Sequence, residues 1–144
     1  MPLYPKISLH PFSYGWLSSE TRGILGFAID GVPFVRLDYF QQVRTVFAID
    51  SCNGIVSDSQ SYFYVGYPRC IQDLSSNSGH SPLVGFLLDG LPAYGPNDVD
   101  GVVASSLQGP YKLDECGGHM DSIHRFYHYH IDSTSQINCL RGCL

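Results

Sequence analysis

Charged side chains are scarce in this sequence of 144 residues. They make up 15% of the chain, against roughly 25% in an average globular protein. The eight lysines and arginines are scattered, and the formal net charge is −5. Binding of nucleic acid or of an anionic membrane surface requires clustered basic residues. The composition therefore predicts neither partner.

Long apolar runs and helical patterns are also lacking. No apolar run approaches the roughly 20 residues that span a bilayer, so membrane insertion is not predicted. The start of the chain, Met1–Lys6, lacks the basic and apolar regions of a secretory signal, which leaves a removed leader or a longer precursor open. The two helix candidates, Leu37–Phe47 and Val102–Leu107, have neither convincing caps nor a helical period.

Tyrosine and cysteine are the residue types that stand out. Five cysteines in a weakly charged chain indicate an oxidising compartment, so we expect a secreted or cell-surface protein. Ten tyrosines with few charges resemble the composition of protein contact patches, which favours association with copies of the same chain. Exposed aromatic rings are also typical of a carbohydrate-binding face, and that alternative stays open.

The chain divides into an N-terminal arm over residues 1–25 and a domain over residues 26–144. The arm carries prolines at positions 2, 5 and 11, which predicts extended chain with one strand around Lys6 to Trp16. At this length one domain can bury about 70% of its unfolded surface, so a single core is expected. We expect the arm to dock on its own domain or on a neighbouring molecule.

The domain contains an internal repeat that begins with a hairpin. The segment Gly26–Phe34 matches Gly85–Ala93, and each copy places Asp-Gly between two apolar runs. Asp-Gly is a strong hairpin signal, because glycine adopts the positive φ that a tight turn requires. Each copy is therefore predicted to open with a β-hairpin.

Two further matches extend the repeat. The segment Ile49–Gly54 matches Leu113–Gly118, and Tyr62–Val65 matches Tyr127–His130, in the same order. Half-units of about residues 26–70 and 85–142 follow, joined by a linker over residues 73–80. The fold prediction is mainly β: a small single domain of two repeated half-units, each a hairpin followed by a cysteine turn and a strand.

The repeat also predicts how the cysteines pair. One bridge in each half-unit gives Cys52 with Cys70 and Cys116 with Cys139, each closing a loop of about 20 residues and stabilising the fold by roughly 3 kcal/mol. Cys143 is left over near the C-terminus. It is a free thiol, a competitor for Cys139, or a bridge to another chain.

The second half-unit resembles the YHYH-domain family. The resemblance covers about residues 26–142, and five segments carry it: Ser81–Phe86, Asp89–Pro96, Asp114–His119, Tyr127–His130 and Cys139–Gly142. It implies a secreted protein without defining a reaction. The first half-unit departs from the family pattern at three positions, with Ile55 opposite His119, Phe63 opposite His128 and Val65 opposite His130.

These three histidines are the candidate metal ligands. In a strand, His128 and His130 point to one face and Tyr127 and Tyr129 to the other. With His119 from the preceding turn they offer three imidazoles to Zn²⁺ or Cu²⁺, leaving one position for water or for a fourth ligand. His124 and Asp121 are the candidates for that fourth ligand, and Asp114 or Glu115 for a residue that orients an imidazole.

Other interpretations of the same residues stay open or fail. A buried hydrogen-bond network, with the imidazoles satisfying backbone groups of the glycine-rich turn, is the alternative to a metal. A Cys-His nucleophile is disfavoured because Cys116 is better explained as a bridge. A calcium loop at Asp98-Val99-Asp100-Gly101 fails, because Lys112 stands where the bidentate glutamate belongs.

The sequence therefore supports two functions. The first is an extracellular, non-enzymatic structural or binding module that associates with itself into a larger assembly such as a fibre. The second is a metal-binding protein with a site at His119, His128 and His130, either with or without hydrolytic or redox activity.

Overall fold

A computed structural model describes residues 6–13, 23–36, 48–57, 59–71, 79–132 and 137–142 of the chain. These residues form a single small, mainly β domain, as predicted. The strands are β1 (Ile7–Ser13), β2 (Ile24–Ala28), β3 (Pro33–Val35), β4 (Gly54–Val56), β5 (Tyr62–Tyr64), β6 (Leu83–Leu87), β7 (Pro92–Tyr94), β8 (Gly118–His119), β9 (His128–His130) and β10 (Cys139–Gly142).

Helical structure in these segments is limited to three 3₁₀ turns, at Val99–Gly101, Ala104–Ser106 and Gly109–Tyr111. Of the second helix candidate, only Ala104–Ser106 form such a turn, in line with its lack of caps and helical period. The first candidate lies outside the described residues. In the part of the chain that is described, no helix has the length and apolar character to cross a membrane.

Eight strands form one sheet in the order β4-β5-β3-β2-β6-β7-β9-β8. In the first half, β3 pairs antiparallel with β2 and parallel with β5, and β5 pairs antiparallel with β4. In the second half, β7 pairs antiparallel with β6 and parallel with β9, and β9 pairs antiparallel with β8. The pairing order is thus the same outward from β2 and β6, which meet antiparallel at the centre.

The predicted hairpins connect β2 to β3 and β6 to β7. The turn glycines Gly31 and Gly90 have φ of 87° and 82°, values that a residue with a Cβ rarely adopts. The aspartate before each glycine caps its turn, with Oδ1 of Asp30 accepting from the N–H of Val32 and Oδ1 of Asp89 from that of Leu91. The hairpin prediction is confirmed.

The same two aspartates anchor a tyrosine from the distant strand of their half. The hydroxyl of Tyr64 donates to Asp30 Oδ2 at 2.8 Å, and that of Tyr129 donates to Asp89 Oδ2 at 2.5 Å. Asp89 is fully buried and also accepts from the N–H of Gly142. Because a buried carboxylate without partners is costly, these bonds hold β5 and β9 in register with their hairpins.

A second Asp–Tyr pair organises each cysteine turn. Oδ1 of Asp50 accepts the N–H groups of residues 52 and 54, and its Oδ2 accepts the Tyr62 hydroxyl at 2.6 Å. Asp114 makes the corresponding bonds to residues 116 and 118 and to the Tyr127 hydroxyl at 2.9 Å. Both tyrosines of the Tyr127–His130 segment therefore serve the fold through their hydroxyl groups.

The cysteine pairing was predicted correctly. Cys52 bonds to Cys70 and Cys116 bonds to Cys139, with Cα atoms 5.1 and 4.8 Å apart. Cys143 lies outside the described residues, so its state stays a prediction.

The strand predicted in the N-terminal arm is present as β1. It pairs antiparallel with β10 in a separate two-stranded sheet, from Ile7 opposite Gly142 to Ser13 opposite Cys139. Since Cys139 is bridged to Cys116, this small sheet is tied to the cysteine turn of the second half. The described part of the arm thus docks on the same chain.

Candidate metal centre

The three predicted histidines lie together on one face of the second half. His119 on β8 is the register partner of His128 on β9, and His130 follows two residues later on the same face. The ring centroids are 5.0 Å apart for His119 and His128, 5.1 Å for His119 and His130, and 5.0 Å for His128 and His130. His128 is 0% and His130 2% exposed, so the cluster is enclosed by the protein.

The Nδ1 atom of each of these imidazoles faces a backbone carbonyl oxygen. The Nδ1 atoms lie within hydrogen-bond distance of three carbonyl oxygens: Tyr111 for His119 at 2.5 Å, Phe126 for His128 at 3.1 Å and Gly95 for His130 at 2.7 Å. A carbonyl only accepts, so Nδ1 carries the proton and Nε2 of the neutral ring keeps its lone pair. This arrangement of imidazoles is typical of metal sites.

The structure adds two donors that sequence reasoning missed. His80 has the same arrangement, with its Nδ1 2.7 Å from the carbonyl of Ser81 and its Nε2 directed into the cluster. Oδ1 of Asp98 lies 3.7 Å from Nε2 of His80, 3.7 Å from Nε2 of His119 and 3.9 Å from Nε2 of His130. His80 had been assigned to a linker and Asp98 to a failed calcium loop.

Five buried atoms in this cluster have no hydrogen-bond partner among the described residues. They are Nε2 of His80, His119, His128 and His130 and Oδ1 of Asp98. Most buried polar atoms in proteins have a hydrogen-bond partner, so five unpaired atoms in one cluster require an explanation. The expected hydrogen-bond network accounts for the Nδ1 side of the rings and leaves the Nε2 side unexplained.

Asp121 and His124, the two candidates for a fourth ligand, border the same cluster. Oδ1 of Asp121 accepts from the backbone N–H groups of Ile123 and His124, which fixes the carboxylate. Its Oδ2 lies 2.8 Å from Nδ1 of His124, 3.4 Å from Nε2 of His80 and 3.5 Å from Nε2 of His128. The side chain of His124 is 25% exposed, so this end of the cluster reaches the surface.

Protonation states in the cluster favour cation binding. Burial lowers the pKa of His128 to about 4 and that of His130 to about 3, with hydrogen bonds to the carbonyls of Phe126 and Gly95 opposing the shift and neighbouring imidazoles adding to it. Burial by itself would raise the pKa of Asp121, but hydrogen bonds from His124 and Ile123 outweigh it and lower that pKa to about 2. His128 and His130 are thus neutral and Asp121 is ionised at neutral pH, as metal ligands must be.

The metal-free protein is expected to lose stability as the pH falls from about 6.5 to about 4. His128 and His130 have pKa values near 6.5 when unfolded and about 4 and about 3 when folded, so in this range the unfolded state binds the protons. Each group then lowers the free energy of unfolding by up to about 1.4 kcal/mol per pH unit. Urea midpoints measured in chelator at about pH 7.5 and about pH 5 test this, and equal midpoints would show that the imidazoles are not held neutral.

Two expected orienting residues have other roles. Asp114 is occupied by its cysteine turn and by the Tyr127 hydroxyl, and Glu115 contacts Nη1 of Arg141 at 3.2 Å. Backbone carbonyls orient the imidazoles instead. The prediction that Asp114 or Glu115 orients an imidazole was wrong. Asp114 accepts hydrogen bonds from the cysteine turn and from Tyr127, and Glu115 contacts Arg141.

The spacing of the donors fits a transition metal ion. Ligands at about 2.0–2.1 Å from a tetrahedral ion are about 3.4 Å apart. The imidazole Nε2 atoms lie 3.4 to 3.9 Å from Oδ1 of Asp98 or Oδ2 of Asp121. Seven residues supply the donor atoms, in overlapping groups whose atoms all lie within 4.8 Å of one another. His128 belongs to every group.

Fold and site together define a disulfide-linked β protein with a buried histidine and aspartate cluster on one half of its sheet. Comparison with protein-family models, curated proteins and solved structures finds no match for this chain. The resemblance to YHYH-domain proteins therefore stays a prediction.

Proposed function

We propose that this protein binds a divalent transition metal ion, Zn²⁺ or Cu²⁺, in the cluster of His80, Asp98, His119, His128 and His130. The observation that carries the proposal is the convergence of four imidazole Nε2 atoms and one carboxylate oxygen, all buried and unpaired among the described residues.

The unpaired atoms are all acceptors, so they cannot satisfy one another. With Nδ1 protonated on each ring, every Nε2 presents a lone pair, and Asp98 Oδ1 presents another. One water molecule donates two hydrogen bonds at most and would leave three acceptors unpaired. Protonation of the rings is opposed by burial at His128 and His130. Metal coordination in the cluster would leave none of these five atoms unpaired.

The donor chemistry favours Zn²⁺ or Cu²⁺. Imidazole nitrogen suits these ions, whereas calcium and magnesium prefer oxygen ligands. All four cysteines that the structure describes are in disulfides, so thiolate ligation comes from none of them. Five unpaired donor atoms line the cluster, more than the three of the sequence-based hypothesis.

Titration of chelator-treated protein with Zn²⁺ and Cu²⁺ tests the proposal. We expect saturable binding and a rise in thermal midpoint, because an ion that binds only the folded state stabilises it by about 4 kcal/mol at about 1,000 times its dissociation constant. For a chain of this size that is roughly 8 to 16 °C. Ca²⁺ is the control ion and should leave the midpoint unchanged. The same thermal midpoint with and without Zn²⁺ and Cu²⁺ would refute the proposal.

Self-association is the second candidate function, and one surface feature favours it. Phe27 and Phe86 are register partners at the centre of the sheet, and each is 41% exposed. Exposed aromatic pairs on a weakly charged surface are typical of contacts between protein chains, and the partner proposed here is a second copy of this chain. A single monomer in sedimentation at every accessible concentration would eliminate this candidate.

Two further proposals concern the family of the protein and its location. The Tyr127–His130 segment and the turn before His119 support membership of the YHYH-domain family, with a first half in which Ile55 and Phe63 take the places of His119 and His128. Two disulfides and the lack of a membrane-spanning helix in the described residues are compatible with an extracellular protein. Secretion is proposed on that basis.

A further inference from the structure

The cluster together with its neighbours Asp121 and His124 supplies two carboxylate oxygens, and each lies within 4.0 Å of three imidazoles. Asp98 Oδ1 lies 3.7 to 3.9 Å from Nε2 of His80, His119 and His130. Asp121 Oδ2 lies 2.8 Å from Nδ1 of His124 and 3.4 to 3.5 Å from Nε2 of His80 and His128. His80 is the one imidazole within 4.0 Å of both carboxylates in the described chain.

The donor atoms do not all fit around one position. His124 shares a compact group with Asp121, His80 and His128, but it joins no group that contains Asp98. An imidazole lone pair serves one ion, and an ion of this class accepts four to six ligands, so seven donors exceed what one ion uses. The two carboxylates also share one compact group with His119 and His128, so the two positions adjoin. Within 4.0 Å, however, Asp98 contacts His119 and His130, whereas Asp121 contacts His124 and His128.

We propose that the cluster is a dinuclear metal centre. The inner ion is bound by Asp98, His119 and His130, and the outer ion by Asp121, His124 and His128. His80 lies between the two sets and completes one of them.

Exposure distinguishes the two positions. The inner ligands are buried, whereas His124 at the outer position is 25% exposed. Oδ1 of Asp121 is anchored by the backbone N–H groups of residues 123 and 124, so its Oδ2 is presented to the outer position without rearrangement. Nδ1 of His124 now faces that oxygen, and binding through Nδ1 would displace its proton. The outer ion should therefore be the first that a chelator removes.

The inference rests on the proposed metal function, and metal counting separates the two. Protein saturated with Zn²⁺ and then desalted should hold two ions per chain by elemental analysis. The Asp121→Asn and His124→Ala variants should each hold one; Asn retains the Oδ1 acceptor for the turn, and His124 is partly exposed, so both changes spare the core. Glu115→Gln, at an exposed ion pair with Arg141, is the matched control and should hold two.

Each result has a defined meaning. One ion in the unaltered protein overturns the dinuclear centre and leaves the proposed function standing, whereas no ion overturns both. Two ions retained in both variants would place the second ion elsewhere and also overturn the inference. Electron paramagnetic resonance of the Cu²⁺-loaded protein provides an independent readout. Two ions within about 4 Å should couple magnetically, and His124→Ala should give the uncoupled signal of a single ion.

Discussion

Replacement of His128 by alanine is expected to weaken Zn²⁺ or Cu²⁺ binding by more than about 100-fold. Loss of a residue that merely orients a ligand typically costs 10- to 100-fold in affinity, and His128 supplies a ligand atom. It is fully buried and belongs to every group of potential metal donors in the described chain. Competition titration against a chelator of known affinity measures the change, and the thermal shift on adding the ion should shrink, since Asp98, His119 and His130 still face one another.

Tyr129→Phe is the matched control for this change. Tyr129 is the next residue on the same strand, but its hydroxyl donates to Asp89 rather than to the cluster. The variant should keep the metal affinity and lose about 1 to 3 kcal/mol of unfolding free energy, because a buried carboxylate oxygen loses a partner. Unchanged affinity in His128→Ala would contradict the assignment of His128 as a ligand.

Alanine at Gly26 is expected to destabilise the fold by about 3 kcal/mol or more. A Cβ at this position would lie 2.3 Å from the carbonyl oxygen of Phe86 and 2.6 Å from Cα of Leu87. Both are backbone atoms of the neighbouring strand β6, so no side-chain rotation relieves the overlap, and overpacking of this kind typically costs 1 to 3 kcal/mol or more. The free energy of unfolding in urea measures the effect.

Gly79→Ala provides the comparison within the same chain. Its Cβ would meet nothing within 4 Å, and its φ does not lie in the left-handed region. We expect it to change the free energy of unfolding by less than about 0.5 kcal/mol, as surface substitutions usually do. If Gly26→Ala were equally mild, β2 and β6 would not approach each other at the centre of the sheet as the structure has them.

The parts of the fold that were predicted correctly depend on local chemistry. Gly31 and Gly90 take positive φ after a capping aspartate, which any Asp-Gly between apolar runs favours. The cysteine pairs followed from the spacing of repeated segments. His128 and His130 share a face because side chains in a strand alternate, and that period is visible in the sequence.

The rest of the site depends on contacts between distant segments. Tyr94 on β7 pairs in parallel with His130 on β9, which brings the chain before β6 and the loop after β7 beside the histidines. His80 and Asp98 come from those two segments, and no spacing in the sequence connects them with the Tyr127–His130 segment. The remaining signal was composition, since five of the six histidines lie between residues 80 and 130.

The first half of the sheet shows what the same positions do without polar donors. Ile55 and Phe63 are register partners, as His119 and His128 are in the second half. Ile55 is 1% exposed, so apolar packing fills there the space that imidazoles occupy in the second half. The Asp–Tyr pairs occur in both halves, whereas the histidines occur in one. This difference between the halves supports the proposal that the histidines serve a purpose other than holding the sheet together.

Anomalous diffraction from crystals of the Zn²⁺-loaded protein, recorded on both sides of the zinc absorption edge, tests the metal assignment most directly. The account predicts a strong anomalous peak about 2.0 to 2.2 Å from Nε2 of His119 and His130 and from a carboxylate oxygen of Asp98. An inner position without such a peak, with the buried Nε2 atoms of His80, His119, His128 and His130 hydrogen-bonded to ordered water, would contradict it.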